Sequence, residues 1–300
     1  MHWRYKLGSY CSDKQVWERQ KELSMPAARN LMIVALVSLC GLTGPAMAQK
    51  GFSPAAQSGP VHLSLGYSGR LYIKVLDIQF DQTIEAKAFN SKVRLVTYGL
   101  LRTFRKLDMR ANAQGRLVDD QPMPGTMYHA NIDGKDNRKV SVTWTGEDVS
   151  TTATPTYSNM GNPPASRAQR LAAADPLTQF MRMTLARSQA GPCQGKARFY
   201  DGKQLYELDF SSPRPYALDA RERRLGLVNP LRCNVRYTEV AGFKKKPPEQ
   251  RNSGLKRPIT SDWAQIGSNG PWVLSSLSAD TPLGAAVIQL DRLAMRSEKP

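Results

Sequence analysis

From residue 61 onward the chain alternates apolar and polar residues, and this period of two constrains its fold more than any other feature. Leu71, Ile73 and Val75 alternate with Tyr72 and Lys74, and Val93 and Leu95 with Lys92 and Arg94. The cleanest run sets Leu107, Met109, Ala111 and Ala113 against Lys106, Asp108, Arg110 and Asn112, and Gln114-Gly115 then supplies a turn. A strand points successive side chains to opposite faces, so each run predicts a sheet with one buried side. Two hairpins follow. Residues 127–132 run into Asp133-Gly134, and 139–144 lead away with Val140, Val142 and Trp144 on one face. Residues 197–200 and 204–208 flank Asp201-Gly202, a dipeptide that tolerates the left-handed angles of a type I′ turn. Segments 233–240 and 286–293 complete the set.

Between the hairpins, 146–164 is rich in Thr, Ser, Asn and Pro and reads as a loop. Asp175 then caps a helix, and Pro176 takes its first position, where a missing N–H costs nothing. Leu177, Phe180, Met181 and Leu185 make one apolar stripe towards Arg187, and Gly191-Pro192 ends it. About thirteen residues give a helix of roughly 20 Å, enough to lie across a sheet. Strands, one helix and strands again argue against βαβ alternation and for an antiparallel sheet curled around the helix. The predicted class is mainly β (α+β): a curled antiparallel sheet forming an open β-barrel or β-spiral around one central α-helix. Phe180, Met181 and Leu185 are the candidate apolar cleft, methionine being an adaptable lining for a lipid-like ligand. Plain core packing is the alternative use of the same stripe.

The N-terminus reads as a targeting device. Arg29 precedes a twelve-residue apolar run, 31–42, and Ala46-Met47-Ala48 forms a small-x-small exit, so cleavage falls after Ala48. Twelve residues are too few to span a bilayer, which takes about 20. Residues 1–24 are polar and mixed in charge, which makes Met25 the expected initiator and 25–48 the signal peptide. Residues 49–60 form a Gly-, Ser-, Pro- and Ala-rich lead-in, 61–293 a single β-rich domain, and 294–300 a tail.

Export redirects the charge and the cysteines. The chain carries 42 basic and 25 acidic residues; losing 1–48 removes six of the former and three of the latter and leaves +14. An exported protein does not meet chromosomal nucleic acid, so the expected partners are a lipid or lipoprotein, an anionic envelope surface, or another envelope protein. Lys244, Lys245 and Lys246 open a proline-containing basic segment suited to contacting such an anionic surface. Cys193 and Cys233 remain as an even pair in an oxidising compartment and read as one disulfide. It closes a loop of about 40 residues, worth on the order of 4 kcal/mol by loop-closure entropy.

Catalytic constellations are sparse. Gly66-Tyr67-Ser68-Gly69 falls short of a nucleophile elbow. Residues 191–197 approach a phosphate loop but are one residue short, with Ala197 where Ser or Thr must bind magnesium. His62 and His129 lie on separate strands, His129 as a hairpin surface residue. The pairs Asp119-Asp120 and Glu147-Asp148 sit beside turns, where carboxylates are favoured for solvation. No cofactor or metal motif is present, and the chain reads as non-enzymatic.

Several segments carry a family resemblance: 67–72 (Tyr-Ser-Gly-Arg-Leu-Tyr), 99–104 (Gly-Leu-Leu-Arg-Thr-Phe), 113–117, 175–178, 199–202, 233–237 and 241–243. In that order they resemble the exported bacterial family called domain of unknown function 3108, over roughly 66–243. Tyr200 stands where that family has Phe before Asp-Gly. More remotely the pattern resembles the curled half-barrels of the lipoprotein carrier LolA and receptor LolB. The resemblance implies an exported half-barrel around a helix and transfers no catalytic residue. The expected function is a periplasmic envelope protein binding a lipophilic or amphiphilic component in support of envelope integrity. Its rivals are a structural or interaction module with a filled core, and a cell-wall or lipid hydrolase.

Overall fold

The alternating segments become strands of one sheet. A computed structural model describes residues 52–104, 106–133, 137–188, 190–244, 259–281 and 284–298. Contacts divide the chain into a unit 1–47 and a unit 48–300, and the described residues all belong to the second. The signal segment 25–48 with Ala46 and Ala48, and the basic residues Lys245 and Lys246, lie outside the described residues.

Among the described residues thirteen strands form the sheet. The first seven are β1 (Val61–Leu71), β2 (Ile73–Ile84), β3 (Ala88–Thr97), β4 (Asp108–Val118), β5 (Gln121–Asn131), β6 (Lys139–Trp144) and β7 (Val149–Thr154). The rest are β8 (Gly195–Tyr200), β9 (Leu205–Pro215), β10 (Leu227–Ala241), β11 (Ile259–Ile266), β12 (Trp272–Thr281) and β13 (Gly284–Ser297). Four short helices interrupt them: α1 (Gly99–Phe104), α2 (Arg167–Leu171), α3 (Pro176–Thr184) and α4 (Ala220–Arg224). The order is β7-β6-β5-β4-β3-β2-β1-β13-β12-β11-β10-β9-β8. Two antiparallel meanders are thus joined at the middle by the first and last strands, from Val61 opposite Ser297 to Arg70 opposite Val287.

The sheet is open, with β7 and β8 as its edges, and it rolls so that these edges overlap instead of pairing. The β8–β9 turn tucks against the face of β6 that carries Val140 and Val142; a Cβ on Gly202 would lie 2.6 Å from Val140 Cγ1. Across this seam His129 Nε2 bonds the carbonyl of Asp201 at 2.9 Å, and Thr151 Oγ1 meets the Tyr200 hydroxyl at 3.1 Å. The free edge of β8 is covered by a parallel bridge from Ala174, which blunts an otherwise adhesive row of backbone groups.

Asp175, buried, accepts from the amides of Leu177 (3.0 Å) and Thr178 (2.8 Å) and starts α3 inside the roll. Phe180 stacks obliquely between Phe80 (4.7 Å) and Trp263 (5.8 Å). Met181 and Leu185 pack with Phe52, Val61, Ile84, Phe89 and Leu117 at the end of the roll where β1 begins.

Several sequence expectations shift in detail. The run 71–75 is not one strand: Tyr72 adopts φ 63° and turns β1 into β2. Gln114-Gly115 is a β-bulge inside β4, since Gly115 lets Met123 and Phe89 approach its backbone. The turn comes at Asp119-Asp120, both at positive φ, as the mirror-image hairpin requires. Asp201-Gly202 does turn, but only Gly202 is left-handed; Asp201 instead accepts the amides of Lys203 and Gln204 through its side chain. The helix stops at Thr184 instead of reaching Arg187. Part of the loop 146–164 is β7, and β11 and β12 escaped the pattern. The lead-in plants Phe52 in the core, and β13 takes residues 294–297 from the expected tail.

Candidate functional site

Nine residues make α3 about 13 Å long, whereas the eleven of β1 span about 36 Å. With α3 seated towards the start of β1, that helix contributes no residue to the far end of the roll. A hollow of about 400 Å³ opens there, lined by Leu71, Val75, Leu76, Leu95, Leu107, Leu277, Ala279 and Ile288, with Gly69 and Thr97 among them. Register explains the grouping: Gly69 sits opposite both Leu76 and Ile288, and Leu277 opposite Ile288, so these side chains share the inner face. Gly69 makes room for Leu76, whose Cβ would stand 2.7 Å from any Cβ added there. Two residues deeper on the same face is Tyr67, wholly buried; its hydroxyl is unpartnered among the described residues and burial raises its pKa.

The rim inverts the usual surface rule. Tyr72 is 88% exposed, Ile73 54% and Tyr98 47%, three large apolar side chains at one end of the molecule. Cations accompany them. Lys74 lies 5.2 Å from the centre of the Tyr98 ring and 3.1 Å from Asp77, Arg70 is exposed, and Arg102 pairs with Asp133 at 3.0 Å. Lys244 is exposed just beyond β10, whose C-terminal end borders the β8–β9 turn.

The residues expected to form the cleft stand elsewhere. Met181 is 0% exposed and Leu185 2%, both packed against side chains, and Phe180 fills the space between two aromatic rings. The stripe reads as core, and the hollow is made by strand residues that the alternation had marked only as buried. What could have located it is the mismatch between a short capped helix and long strands. Cys193 and Cys233 do form the disulfide, with Cα atoms 5.5 Å apart, beside Trp263 and Trp272.

Titratable groups are mostly committed to structure. Asp120 accepts from Ser53 at 2.7 Å and pairs with Arg187; Asp148 pairs with Arg167 at 3.3 Å. His62 lies beside Thr83 (3.1 Å) and Glu298 (3.2 Å), and His129 is half-buried at the seam instead of on a hairpin surface. Hydrogen bonds from Arg94 hold the Asp108 carboxyl below the usual range, whereas burial pushes that of Asp175 up. Among the described residues no group of three His, Cys, Asp or Glu side chains could hold a metal ion. No helix of the described residues is long and apolar enough to cross a membrane.

No family model and no curated protein matches the chain. Among solved structures it is similar to a β-barrel-like protein of domain of unknown function DUF1849 from Brucella abortus. That match has 8% identity and a TM-score of 0.46, covering 80% of this chain and 99% of the other. It is also similar to the hypothetical protein CT021 from Chlamydia trachomatis, at 10% identity and a TM-score of 0.29, covering 81% and 89%. At these scores neither likeness bears on function.

Proposed function

We propose that this is an exported, non-enzymatic protein of the cell envelope that binds the apolar chain of a lipophilic or amphiphilic envelope component in the hollow at the β1–β2 end. One observation carries the reading: a 400 Å³ recess with an almost wholly apolar lining, open at one end of a rolled sheet. The exposed Tyr72, Ile73 and Tyr98, with Arg70 and Lys74 between them, suit the boundary between anionic headgroups and acyl chains. The disulfide fits an oxidising compartment such as the periplasm. A structural or interaction module remains the second reading, favoured by the dense packing around Met181.

Native mass spectrometry of the protein, purified from its host without detergent, tests the choice. A bound species of lipid mass is the expected result, lost in Ala279→Trp, which places an indole in the hollow. A clean apo mass overturns the reading and favours the interaction module.

A further inference from the structure

A second recess lies on the other side of α3. It is a groove of about 510 Å³ between that helix and β8–β9, and its chemistry differs from that of the hollow. The segment 191–197, which is one residue short of a nucleotide phosphate loop, forms its outer wall, and the Cys193–Cys233 disulfide pins that wall to β10. Met183, Ala186 and Phe210 contribute an apolar floor, part of the cluster around Trp263.

Three cations and one carboxylate line this groove. Lys196 and Arg198 share Glu207, each at 3.2 Å. Arg182 is half-buried and, among the described residues, has no carboxylate within 4.0 Å. Its Nε donates to the carbonyl of Pro122 at 2.8 Å and its Nη1 to Gln179 Oε1 at 3.4 Å, so neutral acceptors hold the guanidinium in place without neutralising it. Burial lowers its pKa, and the Asp175 carboxylate, which makes no ion pair with it, opposes that shift. A guanidinium held from one side and facing an open groove, next to two further cations that share one carboxylate, is an arrangement that recognises planar or tetrahedral oxyanions.

We propose that this groove is a binding site, separate from the hollow, for an oxyanion carried on a short apolar group. The anion, a carboxylate or a phosphate monoester, bonds Arg182 with support from Lys196 and Arg198, and the apolar part rests on Met183 and Phe210. Chains too short to occupy the hollow address it selectively.

The test uses the full chain labelled with ¹³C at the methionine methyl groups, titrated with butyl phosphate, butanoate and butanol. The Met183 methyl resonance, assigned with Met183→Leu, is expected to shift saturably with one or both anions and not with butanol, while that of Met181 stays put. Which anion binds more tightly identifies the preferred headgroup. Arg182→Gln is expected to weaken binding at least tenfold, about 1.4 kcal/mol, with Arg182→Lys between it and the parent. Because Arg182 also anchors Pro122, the double variant Lys196→Gln/Arg198→Gln, changed only at exposed positions, gives a second reading and is expected to weaken binding several-fold. Ala279→Trp is expected to leave the titration unchanged, which keeps the fate of this site distinct from that of the hollow. A Met183 resonance indifferent to both anions, or a folded Arg182→Gln protein that binds as tightly as the parent, overturns the proposal.

Discussion

The two ends of the rolled sheet are built from the same kind of strand and reach opposite outcomes. Where β1 begins, Val61, Ile84, Phe89 and Leu117 close around Met181, Leu185 and the lead-in residue Phe52. Where β1 ends, Leu71, Leu76, Leu95 and Ile288 line the hollow. Strand composition does not separate these ends; the position of a nine-residue helix does. Burial at the first end stabilises the fold by roughly 1.5–3 kcal/mol for each large side chain, and the second end gives that up to keep an apolar recess.

Met181→Ala should produce the largest effect, a loss of about 2–5 kcal/mol in urea-induced unfolding with lipid retention unchanged in the protein that stays folded. An equal loss of bound lipid would show that the two ends are not independent. Asp175 sharpens the contrast from the helix side. Its folded pKa is raised, so the stability it confers is greatest below the ordinary carboxylate pKa of about 4 and is lost as pH rises from there through the raised value. Asn caps as well as Asp and carries no buried charge, so Asp175→Asn should flatten that dependence without weakening the protein at pH 7. Asp175→Ala should cost about 1–2 kcal/mol, and both are read from melts across pH 4–8. Ala279→Trp should destabilise by less than about 1 kcal/mol, because the hollow accepts the ring, whereas overpacking a filled core costs about 1–3 kcal/mol. The smallest effect is expected at the rim: Tyr72→Gly relieves a left-handed tyrosine and should raise stability by up to about 1 kcal/mol while weakening attachment to anionic phospholipid vesicles. Unchanged vesicle flotation would remove Tyr72 from the surface contact.

Much of this was legible in the chain. Alternation marks a strand whenever one face is buried and the other wet, so β3, β4, β6 and the β8–β9 hairpin were visible, as was a helix opened by Asp175-Pro176. β7 was not, because Val149–Thr154 has a single large apolar residue and four hydroxyls. β11 was hidden for a related reason: residues 261–265 are all buried, but Ser261, Asp262 and Gln265 among them are polar, so no apolar period of two is visible. The disulfide followed from counting cysteines. The hollow could not be read from any local pattern, since it depends on where α3 lies along strands distant from it in sequence. Phe180, Met181 and Leu185 were the right residues for the interior and the wrong ones for an opening, because an apolar stripe specifies burial and says nothing about what covers it.

The central β1–β13 ladder joins residue 61 to residue 297. In folding terms, the middle of the sheet is the last part that a growing chain can complete. Each meander can form its own hairpins early, but neither can close its inner edge until the final strand is available, and contacts of such long sequence separation form slowly. Loss of the last strand would therefore leave two half-sheets with long exposed edges instead of a trimmed barrel, a state prone to pairing with its neighbours.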